Sequence, residues 1–230
     1  LQNVVTGTYT CTITDANGCT TQQSVTVHEP DELIANLSSI NISCNGLSDG
    51  SASVSVTGGN GINDYIWSAI GLPNLSSVSG LSLGSYSCTV VDQYGCSDLS
   101  NTITITQPDS ITATLTTIDV SCNGGNDGSA TVTPTGGTGN YTYSWSPSGG
   151  SASTATGLSA GTYSCTITDA NNCSYTVSNI VVGEPSLLTS SIIYEDSVSC
   201  YGLSDGSAQV QGLDGTPGYT YLWNNGQTGF

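Results

Sequence analysis

The sequence of 230 residues predicts an all-β chain of β-sandwiches, each about 77 residues long, strung in tandem into an elongated rod. Three observations carry this expectation. Cysteine, tryptophan and tyrosine recur at a fixed interval, which is the mark of a repeat array. Apolar and polar residues alternate with period 2. Gly, Asn and Asp clusters interrupt that alternation roughly every 8–12 residues, as in sandwiches of short strands.

The interval is read from the residues. Cys11, Cys88 and Cys165 are separated by 77, as are Cys19, Cys96 and Cys173. Cys44, Cys122 and Cys200 are separated by 78, as are Trp67, Trp145 and Trp223. Tyr9, Tyr86 and Tyr163 each precede a cysteine by two positions, and Pro30, Pro108 and Pro185 punctuate the units. Complete repeats are expected at 31–107 and 108–184. Residues 1–30 carry the last strands of a repeat (F and G), and 185–230 carry the first strands of another (A to C). Two origins fit such halves. They are cut from a longer array, or the half-domain at one end is completed head to tail by strands of the next subunit.

The unit at 108–184 shows each element in order. Strand A runs from Ile111 to Cys122, with Ile111, Ala113 and Leu115 on one face. The register then slips so that Ile118, Val120 and Cys122 continue it, which predicts a bulge or a change of sheet. Asn123 to Gly128 form a turn, and strand B follows with Ala130 and Val132. Gly136-Gly137-Thr138-Gly139 turns the chain into strand C, where Tyr141, Tyr143 and Trp145 share parity. A weak strand E ends near Leu158. Strand F carries Tyr163, Cys165 and Ile167. Asp169 to Asn172 form a hairpin turn, and strand G runs from Cys173 to Val182 before Glu184-Pro185. One Trp on strand C, with a Tyr two residues before a Cys on strand F, makes the sandwich immunoglobulin-like, the tyrosine standing as a tyrosine corner. The disulfide typical of that fold is not available, because strand B has no cysteine. Trp67, Trp145, Trp223, Tyr86 and Tyr163 are expected in the cores.

Composition limits function. There is no Lys or Arg against 17 Asp and Glu, a formal charge of −17. Nucleic acid and anionic membranes need a basic patch, so neither is an expected partner, and no apolar run is long enough for membrane insertion. The absence of trypsin sites and the nine cysteines point to an oxidising, extracellular setting. Catalysis is not expected: the carboxylates sit in repeated turns, with no basic residue to hold an anionic intermediate. No cofactor is expected. Asp15, Asp92 and Asp169 in the F–G turns, and Asp49, Asp127 and Asp205 in the A–B turns, are weak calcium candidates, since turn carbonyls and carboxylates are hard oxygen ligands. The other reading is that Asp favours turns by bonding its own backbone.

Three cysteines per repeat cannot all pair within it. Strand A runs down and strand F runs up, so the Cys-Asn-Gly turn lies at the bottom of a domain and the cysteine opening strand G at the top. A disulfide needs Cα atoms within about 7 Å. These two therefore meet only across a junction, which favours Cys44–Cys173, with Cys122 and Cys96 bonded to further units. The alternative is Cys44–Cys88 and Cys122–Cys165, within domains.

The stretch Ser121-Cys122-Asn123-Gly124-Gly125-Asn126-Asp127-Gly128-Ser129-Ala130, then Gly136-Gly137-Thr138-Gly139-Asn140-Tyr141-Thr142-Tyr143-Ser144-Trp145, resembles the repeat of SprB-type adhesins of Bacteroidetes. So do 157–163 and the Thr-Asp-Ala-Asn-Gly-Cys at 14–19. The resemblance implies a very long protein secreted by the type IX system and displayed at the cell surface as filaments, in some members for gliding motility and in others for adhesion. Its partners would be neighbouring repeats and like chains. The cysteine on strand F departs from the family pattern. Asp109-Ser110-Ile111 and Asp196-Ser197-Val198 match a short pattern of O-glycosylation in Bacteroidetes, which makes Ser110 and Ser197 candidate sites. Two functions are open: a structural filament or stalk segment, or an adhesion module that binds glycans, surfaces or like chains through its lateral face.

Overall fold

A computed structural model describes residues 1–229. Residue 230, the end of the last predicted segment, lies outside them. The described residues form antiparallel strands and turns, with no helix among them. The chain divides into two units, residues 1–107 and those from 108 onward.

The first unit opens with a hairpin of β1 (Gly7–Thr14) and β2 (Thr20–Val27). A sandwich follows. One sheet holds β3 (Ile34–Ile40), β4 (Gly50–Thr57) and β6 (Ser77–Leu81) in the order β3-β4-β6. The facing sheet holds β5 (Asn63–Trp67), β8 (Cys88–Asp92) and β9 (Ser97–Leu99), and β7 (Gly84–Tyr86) pairs with β10 (Ile103–Ile105). In strand letters this is A-B-E against C-F-G, the immunoglobulin-like division. The second unit repeats it with β11 (Thr112–Ile118), β12 (Gly128–Thr135) and β14 (Thr154–Leu158) against β13 (Thr142–Ser146), β15 (Gly161–Thr168) and β16 (Ser174–Val182). It ends in a hairpin of β17 (Thr189–Asp196) and β18 (Ser207–Leu213), with a bridge between Leu222 and Thr228.

Each sandwich has its own core. Ala52, Val54, Trp67, Leu81, Cys88, Val90 and Ile105 are among the buried residues of the first, and Ala130, Val132, Trp145, Leu158, Tyr163, Cys165, Ile167 and Ile180 of the second. These fall on alternate positions of their strands, as period 2 requires. Polar atoms inside are matched. The indole N–H of Trp67 donates to the Leu75 carbonyl at 3.0 Å, and that of Trp145 to Ala152 at 2.8 Å. The tyrosine corner closes the same way in every copy: Tyr9, Tyr86 and Tyr163 donate to the carbonyl four residues upstream, at 2.8, 2.9 and 3.0 Å. Trp223 is half-buried rather than in a core, because residues 186–229 contain no F and G strands to cover it.

Strand A corrects one expectation and explains another. Its pairing with strand B stays regular from Thr112 to Ile118, and the change comes after Ile118. There the chain crosses to the other sheet: the Val120 N–H bonds the Gly183 carbonyl at 3.0 Å, and the Gly183 N–H bonds Asp119 at 2.7 Å. The first sandwich does the same at Ile42 and Thr106, with Asn41 in place of Asp119. Of the three residues expected to continue the core face, only Val120 is buried. Ile118 is 67% exposed, and Cys122 stands outside, at the start of the turn.

Candidate functional site

The chemistry-bearing residues gather at the two ends of each sandwich. At one end lies the F–G turn. On strand F the core parity runs Cys88, Val90, Asp92, so the third inward position is a carboxylate. Asp92 is only 4% exposed, with no Lys or Arg in the chain to pair it. Backbone N–H groups take that role. One carboxylate oxygen accepts from Tyr94 and Cys96, both at 2.9 Å, and the other from Asn60 in the B–C turn at 3.0 Å. Asp169 is equivalent: Asn171 and Cys173 bond one oxygen at 2.9 Å, and Thr138 the other at 2.8 Å. Asp15 makes the first two bonds, to Asn17 and Cys19. Burial pushes the Asp92 carboxyl up, but the N–H groups of Cys96, Asn60 and Tyr94 outweigh it and hold the group below its usual range.

This tie between turns was missed in the sequence, although the parity of strand F signals it: an Asp two places after a buried Val points inward. The Gly-Gly pair of the B–C turn makes room for it. A Cβ on Gly58 would meet the Glu32 carbonyl at 1.9 Å, and one on Gly136 the Ser110 carbonyl at 2.1 Å. Strand A therefore starts hard against this turn.

At the other end lies the A–B turn with Cys44, Cys122 or Cys200. Asp49 accepts the N–H of Ser43 at 3.0 Å and its hydroxyl, Asp205 does the same for Ser199, and Asp127 accepts the N–H of Ser121 at 2.9 Å. The serine hydroxyl first, and the serine N–H second, hold Asp49 and Asp205 below the usual carboxylate range. The last residue of each repeat reaches this turn. Gln107 accepts from the Gly46 N–H at 3.0 Å, and Glu184 from the Gly124 N–H at 2.8 Å. Asn123 also donates to the Pro185 carbonyl at 3.1 Å. These boundary residues were not singled out in the sequence; a polar side chain recurring just before the boundary proline was their signal.

The six aspartates thus hold their own turns, and among the described residues no three His, Cys, Asp or Glu side chains come together as a metal site. Ser110 and Ser197 are both exposed.

The cysteines divide into three kinds. Cys88 and Cys165 are free thiols, fully buried in the cores, and burial raises both above the usual thiol range. The pairing Cys44–Cys88 with Cys122–Cys165 is therefore not formed. Strand F and strand A point these side chains to different places: the first inward, the second into an exposed turn. Cys11, Cys19, Cys96, Cys122 and Cys200 are exposed free thiols. Cys44 and Cys173 are disulfide-bonded. Within one sandwich the A–B cysteine and the F–G cysteine lie at opposite ends, the first beside the end of strand G and the second beside the B–C turn.

Comparison with known proteins adds a family. The SprB repeat model matches residues 36–71, 114–153 and 196–228, which begin in strand A and run through the A–B turn and strand B to strand C or just beyond it. No curated protein matches the chain. Among solved structures, the three N-terminal domains of the bacteriophage RB49 highly immunogenic outer capsid protein (Hoc) align at 15% identity and a TM-score of 0.43, covering 83% of this chain and 73% of that one. The threefold match, in register with the cysteine and tryptophan period, identifies SprB repeats at three places along the chain, a structural repeat of cell-surface proteins.

Proposed function

We propose that this chain is a tension-bearing segment of a secreted cell-surface filament or stalk, in which a disulfide between Cys44 and Cys173 staples one repeat to the next. The observation that carries the reading is the cysteine inventory: Cys44 and Cys173 are disulfide-bonded, while the other seven are free. They occupy opposite ends of successive repeats, where only a junction brings such turns together. A bond of this kind passes load from the A–B turn of one repeat to the F–G turn of the next without loading the strands between. A charge of one sign keeps neighbouring filaments apart. Export by the type IX system, and a role in gliding or adhesion, are what the repeat's kinship adds to this picture.

The test is peptide mapping by mass spectrometry without reduction, using a protease specific for acidic or aromatic residues. A peptide joining Cys44 to Cys173 is expected. Its absence from oxidised, folded protein would falsify the stapled segment. One observation favours the second reading, an adhesion module, though at the ends of the repeats and not on their lateral face: Tyr94 and Tyr201 stand 74% and fully exposed in the F–G and A–B turns, free to stack on glycan rings. Glycan-array binding that Tyr94→Ala abolishes would favour that module.

A further inference from the structure

The two complete sandwiches share their strands but differ at their edges. Strand A forms the rim of its sheet in both, in the orders β3-β4-β6 and β11-β12-β14. In the second sandwich the Val132 N–H bonds the Ser153 carbonyl, on the side of strand E. Val132 faces Leu115 across the A–B ladder, so the N–H and C=O of Leu115 point away from strand B and out of the sheet. By alternation Ala113 and Thr117 do the same. The first sandwich has this geometry too, with Val54 bonding Ser76 and facing Leu37. There the outward groups are sealed by side chains. Asp98, on β9, accepts the Ala35 N–H at 2.8 Å. Asn101 accepts the Leu37 N–H at 2.7 Å and donates to the Leu37 carbonyl at 3.2 Å. Strand C, a rim of the other sheet, is sealed as well: Asn74 accepts the Tyr65 N–H at 2.6 Å.

One repeat on, Tyr175 and Ser178 stand where Asp98 and Asn101 stand. Both are exposed, and among the described residues no side chain bonds the N–H of Ala113 or Leu115. An open edge is a template for another strand, and proteins commonly guard it with charges, proline or a very short strand. The edge of β11 has none of these guards. It is seven residues long, Thr-Ala-Thr-Leu-Thr-Thr-Ile, and Leu115 and Ile118 on it are 39% and 67% exposed. Charge decides what can cover it. With a formal charge of −17 and no Lys or Arg, two copies of the chain repel over most of their surface. Along β11 they meet without a carboxylate, and the one that follows, Asp119, is occupied by the Gly183 N–H.

We propose that two copies of this chain pair edge to edge through β11, antiparallel about a twofold axis at Leu115. Leu115 exchanges N–H and C=O bonds with its counterpart, and Ala113 does so with Thr117 of the partner subunit. The A-B-E sheets of the two copies then continue as one, in the order β14-β12-β11-β11-β12-β14. The first sandwich, sealed by Asp98 and Asn101, takes no part, so contact between like chains is confined to the unsealed repeat. This pairing does not depend on the staple between Cys44 and Cys173.

Sedimentation velocity on the whole chain, with all thiols kept reduced, tests it. A monomer–dimer equilibrium is expected, shifting toward dimer as salt screens the like charge. Hydrogen exchange at the Ala113, Leu115 and Thr117 amides should slow in the dimer. Tyr175→Asn with Ser178→Asn installs a neutral version of the first sandwich's seal. It is expected to weaken the dimer by about tenfold or more, as the loss of backbone bonds requires. Leu115→Pro, which deletes an N–H that no strand of the sandwich uses, is expected to do the same. Continued resistance of the buried Cys165 to alkylation shows that the core of each variant is folded. The reverse change, Asp98→Ala with Asn101→Ala, unseals β3 and is expected to add a second mode of association. A monomer at every salt concentration, a dimer that the double Asn variant leaves intact, or a dimer without protection of these three amides overturns the proposal. Because the thiols stay reduced throughout, none of these results bears on the Cys44–Cys173 peptide.

Discussion

At the scale of single residues the absence of Lys and Arg shapes the chemistry. A buried carboxylate ordinarily demands a cation; here Asp92 and Asp169 are held by three backbone N–H groups each. In Asp169→Asn one amide oxygen can keep two of those bonds, but the amide nitrogen then faces the Thr138 N–H, donor against donor. We expect a loss of about 1–3 kcal/mol, read from denaturant unfolding of the second sandwich. Tyr163→Phe removes the bond to the Ser159 carbonyl and should cost about 1 kcal/mol in the same assay. The depressed Asp92, Asp49 and Asp205 set the response to acid. Their folded pKa values lie below the unfolded ones, so the stability they contribute is present above the unfolded carboxylate range and is lost as pH falls through the folded values. Melting temperature should therefore hold from neutral pH to about pH 4.5 and fall below it, near the ordinary carboxylate pKa. Asp92→Asn should fall less steeply over that acid range; an unchanged slope would show that its carboxylate plays no part.

At the scale of elements, the strands were legible wherever both faces had a role. Strands B, C and F of the 108–184 repeat fall where period 2 places them, because one parity packs and the other meets water. Strand A was less legible because it belongs to both sheets. Alternation says which residues share a face, but not which partner strand supplies the hydrogen bonds, so the crossing at Asp119–Val120 could be anticipated only as a slip. The bonds that Gln107 and Glu184 accept from the A–B turn, and those that Asp92 and Asp169 accept from the B–C turn, were only half legible for a similar reason: a recurring polar residue before the proline and the parity of strand F mark the acceptors, but their partners lie far away in sequence. Two glycines test how the turns constrain the strands. Gly136 and Gly124 have φ of 79° and 74°. An alanine at either is strained by roughly 1–2 kcal/mol. A Cβ at Gly124 would meet nothing within 4 Å, so Gly124→Ala should lose no more than that. At Gly136 the new methyl would also strike the carbonyl of Ser110, where strand A begins. Gly136→Ala should therefore cost roughly 3 kcal/mol or more. Equal losses for the two variants would show that the approach of strand A to this turn is not tight.

At the scale of the whole molecule, the proposed staple makes a mechanical prediction. Pulled from its termini, a chain of sandwiches without cross-links releases each one in turn as it unfolds. With Cys44 joined to Cys173, tension passes through the bond, and the roughly 130 residues between them are shielded, including most of the strands of both sandwiches. That segment would otherwise lengthen by roughly 40–45 nm when extended. Single-molecule stretching of the oxidised chain should therefore give a final contour length shorter by about that amount than the same chain after reduction, and no unfolding step for either sandwich. Reduction, or Cys173→Ser, should restore two steps. The buried thiols supply an internal control. Cys88 and Cys165 are sealed in the cores, so an alkylating probe added under load should label them only after the staple is broken. Labelling of both in the oxidised chain under load would show that force does reach the strands. The sandwiches, rather than the cross-link, would then carry the tension.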